Sequence, residues 1–112
     1  MAAKSSISAI TLTSIAGTAL TTSYKPVNST GLSRSCSIIR LSNNTSKDLT
    51  VSYDGITDHE FVKAGTILQI SLQSNKEVSS GVCQLKKGTV IYVKSDAAGT
   101  GIAYLSGYYQ ER

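Results

Sequence analysis

From Arg34 to its end this chain is a succession of short β-prone runs, each closed by a turn signal, and nothing else constrains its fold as strongly. Leu49-Thr50-Val51-Ser52-Tyr53 alternates apolar and hydroxyl-bearing residues without exception, and Asp54-Gly55 then closes it. An alternation of period two sends one set of side chains to each face of a strand, so this run reads as a half-buried strand ending in a tight turn. No window keeps the i, i+3, i+4 spacing of an amphipathic helix for long enough to matter. The pattern predicts an all-β fold, an antiparallel β-sandwich or jelly-roll-like architecture of about eight short strands.

Further strands are expected at Cys36–Ser42, His59–Lys63, Thr66–Gln73, Val82–Leu85, Thr89–Lys94 and Ile102–Tyr109. The polar stretch Asn43-Asn44-Thr45-Ser46-Lys47-Asp48 reads as a turn between the first two strands of this body. Hydrophobic alternation nominates Ile38, Val51, Tyr53, Leu68, Ile70, Val90, Tyr92 and Ile102 as core residues. The first 33 residues are less regular. Ser8–Ser14 and Thr18–Tyr24 are Thr-rich and β-prone, and Pro26 with Gly31 separates them from the body. We therefore expect 1–33 to be an N-terminal arm or outer strands and 34–112 the sandwich body. As an arm it would present Ile7, Ile10, Leu12, Leu20 and Tyr24 to a neighbour.

Composition limits the chemistry. A chain of 112 residues is one domain, and 30 of them are Ser or Thr, against one His, one Met, two Cys and no Trp. The net charge of +4 comes from scattered Lys and Arg whose only adjacent pair is Lys86-Lys87. That distribution reads as a solvated surface and argues against specific nucleic-acid binding. Cys36 and Cys83 are 47 positions apart, far from the close pairs of zinc sites. The spacing leaves a disulfide between them open, but both sit among apolar neighbours, where a reduced thiol packs as a small hydrophobe. The Lys4-led start has an apolar stretch interrupted by Ser8, Thr11, Thr13 and Ser14, so it lacks a continuous leader-type core. No window is apolar over the length of a membrane span.

His59, flanked by Asp58 and Glu60 and following Asp54, is the only imidazole, and its spacing fits no metal loop. A turn rich in Asp and Gly is expected for conformational reasons alone. There is no G-x-S-x-G elbow, and Gly99-Thr100-Gly101 lacks the third glycine of a dinucleotide loop. These absences lead us to expect no enzyme, no cofactor, no metal and no small-molecule substrate. N-x-[ST] occurs at Asn28, Asn43 and Asn44, which in so hydroxyl-rich a chain carries little meaning. Tyrosine alone rises above background: Tyr104, Tyr108 and Tyr109 crowd the last strand, and Tyr brings large contact area with a polar handle to an interface.

The runs Arg40-Leu41-Ser42-Asn43-Asn44-Thr45, Asp48 to Gly55, Val62-Lys63-Ala64-Gly65-Thr66 and Leu85-Lys86-Lys87-Gly88-Thr89-Val90-Ile91-Tyr92-Val93-Lys94 together resemble small all-β virion proteins of tailed bacteriophages. The resemblance spans residues 34 to 109 and consists of turn-and-strand patterns. It implies a non-enzymatic virion subunit: a head-to-tail connector or neck ring protein, a tail component or a capsid decoration protein. Such a subunit would be made and assembled in the host cytoplasm, with copies of itself and other virion proteins as partners and no membrane. A different class remains open, a carbohydrate- or receptor-binding module in which Tyr108, Tyr109 and the Asp54–Asp58 loop form a shallow platform.

Overall fold

The structure, a computed structural model, describes residues 6–71 and 85–111. Its strands are β1 Ser6–Ala9, β2 Thr13–Ala16, β3 Lys25–Pro26, β4 Ile38–Thr45, β5 Leu49–Ser52, β6 Glu60–Val62, β7 Ile67–Ser71, β8 Tyr92–Lys94 and β9 Gly101–Glu111. All pair antiparallel and form two sheets. The first has the order β1-β9-β4-β7, with β2 also on β9, and the second has the order β3-β8-β5-β6. One core cluster draws on both inner faces, so the fold is the β-sandwich expected.

β9 is the spine of the larger sheet. β4 runs along one side of it, from Ile38 opposite Tyr108 to Thr45 opposite Gly101. On the other side lie β1, with Ala9 opposite Tyr108, and β2, with Thr13 opposite Leu105. Between β1 and β2 the chain bends, and the Ile10 amide still donates to the Gly107 carbonyl at 2.9 Å. Gly107 faces inward, where a Cβ would lie 3.1 Å from both Ile10 Cδ1 and Ile39 Cδ1 and 3.3 Å from Cys36 Sγ. Its missing side chain lets these three groups close over the spine. The core proper comprises Ile15, Ile39, Leu41, Leu49, Val51, Val62, Val93, Ala103 and Leu105 from the strands, joined by Leu20, Val27, Leu32, Cys36 and Ile91. Each fully buried Leu, Ile or Val in such a set stabilises the fold by about 1.5–3 kcal/mol.

Several expectations need correction. Of the two readings of the N-terminal segment, the outer strands are the one observed and the arm is not: β1 and β2 pair with β9 and β3 with β8, and Leu20, 1% exposed, is among the segment's best-buried residues. The segment sends Ile15, Leu20, Val27 and Leu32 inward, enough apolar area to hold it at home. Of the core candidates, Val51 is buried, and Tyr53 and Leu68 pack half-buried against the core. Ile70 is half-buried opposite Ile39. Ile38 and Ile102 instead lie on the outer face, the latter 38% exposed, because β4 and β9 send the alternate set, Ile39, Leu41, Ala103 and Leu105, inward. On the stretch leading into β8 the faces are likewise exchanged: Ile91 and Val93 are buried while Val90 and Tyr92 are half-buried. The strand expected at Val82–Leu85, and Cys83 with it, lies outside the described residues apart from Leu85, which bridges to Cys36.

The expected turn at Asn43–Asp48 begins three residues later, since Asn43, Asn44 and Thr45 continue β4. Asn43 points into the core, 0% exposed, and every hydrogen-bonding capacity of its amide is used. Its Nδ2 donates to the carbonyls of Lys47 at 2.8 Å and Val62 at 3.0 Å. Its Oδ1 accepts from the Thr45 amide at 3.1 Å and the Thr45 hydroxyl at 2.6 Å. A buried amide costs little when so satisfied. Asn28 does similar work at the other sheet: its Nδ2 donates to the Thr89 carbonyl at 3.1 Å and its Oδ1 accepts from the Ile91 amide at 2.7 Å.

Candidate functional site

The strand register assembles an outward face on the larger sheet. Opposite pairs place Tyr108 beside Ile38 and Ala9, Ser106 beside Arg40, Tyr104 beside Ser42 and Ser14, and Ile102 beside Asn44 and Ala16. β7 extends the face with Ile67, 51% exposed, and Gln69. The result is a surface of tyrosine, isoleucine and small or hydroxyl-bearing residues around one cation, Arg40. Arg40 is half-buried there, and its Nε is covered without a hydrogen-bond partner. Buried donors of that kind are uncommon in finished structures.

The edges of the two sheets differ. In the smaller sheet β3 is two residues long and contains Pro26, and β6 is three residues long and begins at Glu60. Short strands, Pro and charge are the usual protection of an edge. Among the described residues the larger sheet ends in β7, Ile67–Ser71, and in β1 with β2, and none of these strands carries a charge or a proline.

The tyrosines and N-terminal residues proposed as contacts do not form one surface. Tyr104 and Tyr108 share the outer face just described. Tyr109 points to the opposite side of β9, packs against the core and lies under the Arg34 guanidinium at 5.1 Å. Ile10 also packs against the core, Leu20 is inside it, and Leu12 is 56% exposed at the bend between β1 and β2. For Ile7 only the backbone, paired with Gln110, is described; its side chain lies outside the described residues.

Tyr24 belongs to a polar cluster over the smaller sheet. Its hydroxyl donates to Asp58 Oδ1, Lys94 Nζ lies 3.1 Å from the same oxygen, and that ammonium sits 4.6 Å from the centre of the Tyr24 ring. Partial burial and the Asp58 bond push the Tyr24 hydroxyl up to about 12, and the same Tyr24 bond, with Lys94, lowers Asp58. The neighbouring turn is built by Asp54, whose Oδ1 accepts from the amides of Thr57 and Ile56, both at 2.8 Å, and from the Ser52 hydroxyl at 2.8 Å. Those bonds hold its carboxyl far below the usual carboxylate range. His59 Nδ1 accepts from the Tyr53 amide at 3.0 Å, and the two rings stack with centroids 5.2 Å apart. In the acidic turn around His59, Asp54 thus caps backbone amides and Asp58 is engaged by the Tyr24 and Lys94 side chains. Among the described residues, no three His, Cys, Asp or Glu side chains gather as a metal site would require.

The Asp54–Asp58 loop folds over Tyr92 and Lys94 of the smaller sheet, whereas Tyr108 faces out from the larger one and Tyr109 lies against the core. The platform expected from these residues is therefore not assembled. Sequence reasoning missed Arg40 and Phe61. The latter is 59% exposed in a three-residue strand too short to show an alternation. No helix among the described residues is long and apolar enough to cross a membrane. No family model, curated protein or solved structure matches the chain.

Proposed function

We propose that this chain is a non-enzymatic structural subunit of a tailed-phage virion, built into a symmetric ring or shell through the larger sheet. A head-to-tail connector, neck or tail position fits best, with capsid decoration next. The observation that carries this reading is the contrast between the sheets: the smaller one has blunted edges, while the larger has uncharged edges and an outer face of Tyr104, Tyr108, Ile38, Ile67 and Ile102 around Arg40. Tyr and Arg dominate the energetics of many protein contacts, and uncharged edge strands invite pairing. The turn-and-strand resemblance to phage virion proteins supplies the biological setting. Copies of the chain and other virion proteins are the partners, and the virion is the location. The N-terminal segment has no part as a reaching arm, since its strands are engaged with β9.

Size-exclusion chromatography with light scattering tests this over a range of protein concentrations. A discrete multimer, or one that grows in on concentration, is expected for the wild type. Tyr104→Ser with Tyr108→Ser should lower its population without lowering the melting temperature by more than a few degrees. A strict monomer at every concentration would remove the basis for self-assembly through this face.

A further inference from the structure

On the outer face of the smaller sheet, β6, β5 and β8 set Phe61, Thr50 and Lys94 side by side, Thr50 being the register partner of both others. The loops at that end, 46–48 and 95–96, with Thr22, wall in a groove of about 630 Å³ over them. This volume is within the range of small-ligand sites. Its lining is not that of a site for an apolar ligand: one exposed aromatic ring stands among Thr, Ser, Lys and Asp side chains.

The charges in the groove are balanced. Lys47 pairs with Asp96 at 3.4 Å and Lys94 with Asp58 at 3.1 Å, while Asp48 Oδ1 accepts the Ala64 amide at 2.9 Å. Two cations against two carboxylates in the lining leave no net field to gather a phosphate or a polyanion. What remains is an apolar ring face beside fixed hydroxyl, ammonium and carboxylate groups. A ligand that matches has one C–H-bearing face and a rim of hydroxyls able both to donate and to accept.

From this we infer that the groove is a saccharide-binding site, in which a pyranose lays its C–H face on Phe61 and turns its hydroxyls to Thr50, Lys47, Asp48 and Asp96. The site lies on the sheet opposite the proposed assembly face, so contacts through that face leave it uncovered. An open groove of this size holds a single sugar with about millimolar affinity.

Saturation-transfer NMR with a panel of methyl pyranosides tests the site, because it observes the small molecule and works whether or not the chain is assembled. Saturation is expected on the ring protons of at least one glycoside. Phe61→Ala should weaken binding at least about tenfold, and Phe61→Tyr should retain it. Thr50→Arg, which fills the floor and leaves Phe61 in place, should abolish it independently. Absence of transfer across the panel overturns the inference, as does transfer unchanged in both Phe61→Ala and Thr50→Arg. Transfer to a short single-stranded oligonucleotide and to no glycoside would assign the groove to base stacking and overturn it equally. None of these outcomes bears on oligomeric state, which reads the assembly proposal separately.

Discussion

The side-chain amide of Asn43, on the larger sheet, donates to the carbonyl of Val62, on the smaller one, at 3.0 Å. One fully buried residue therefore joins the two layers by a hydrogen bond. Replacing it by Ala would remove the side-chain partner of the Val62 carbonyl and of the Thr45 amide, while the Thr45 hydroxyl and the Lys47 carbonyl keep their bond to each other at 3.0 Å. Asn43→Ala is expected to cost about 2–4 kcal/mol, measured by urea unfolding. A loss below about 0.5 kcal/mol would mean that water replaces the amide without penalty.

Leu20 ties the N-terminal segment to the sandwich. Leu20→Ala should cost about 2–5 kcal/mol, and a chain lacking residues 1–30 should fail to fold, since it loses β1, β2, β3 and three core side chains. Circular dichroism of the truncated chain decides this: a cooperative melt near that of the full chain would restore the segment to the role of a dispensable arm.

Gly101 begins β9 with φ +82°, and a Cβ there would lie 2.1 Å from the Asn44 carbonyl oxygen. Gly101→Ala meets both a disfavoured backbone conformation and a backbone atom that cannot swing aside. The backbone strain alone is about 1–3 kcal/mol, visible as a fall in melting temperature. An unchanged melt would show that the spine strand starts differently in solution.

Two acid–base signatures are expected. Asp54 is an acid whose folded value lies below its unfolded one, so its capping of the turn is intact above the ordinary aspartate value, about 3.9, and is lost only as pH falls through the depressed value. Its carboxyl carbon shift in an NMR titration should therefore stay that of an ionised group well below pH 3.9, and Ser52→Ala should raise the midpoint. Tyr24 and Tyr53 have raised values of about 12, Tyr24 through partial burial and Asp58, Tyr53 through burial and the nearby Glu60. Their neutral forms favour the fold fully below pH 10, the ordinary tyrosine value, and that contribution fades as pH climbs from there through about 12. Ultraviolet titration should show two late-ionising tyrosines, with Asp58→Asn bringing one of them earlier.

The strand pattern, and hence the sandwich, was legible because residues such as Thr50 and Val51 alternate so cleanly. Which face turned inward was legible only where one set was plainly polar. On β9 both sets are apolar, and Ala103 and Leu105 went inside while Ile102 did not, a choice set by pairing with β4 and invisible locally. Asn43 misled for a related reason: an Asn-Asn pair reads as a turn until four partners from three separate residues are brought to one amide. The N-terminal strands have few large hydrophobes in any short window, yet Ile15, Leu20, Val27 and Leu32 add up to an inward edge once the chain has folded back. Phe61 and Arg40 could be recognised only from the neighbours that the sheets give them.

The position of β9 also sets the order in which the protein can be made. Gly101–Glu111 is the last described strand to leave the ribosome; β1 and β2 pair with it alone among the described strands, and β4 has only β7 besides. Until then the first hundred residues carry three strands without their central partner, and the larger sheet closes only after that final segment has emerged. Pairing over such sequence distances is slow, and nascent chains with open strands are prone to associate. A chain cut before Gly101 would therefore leave β1, β2 and one edge of β4 open, a state in which association competes with folding.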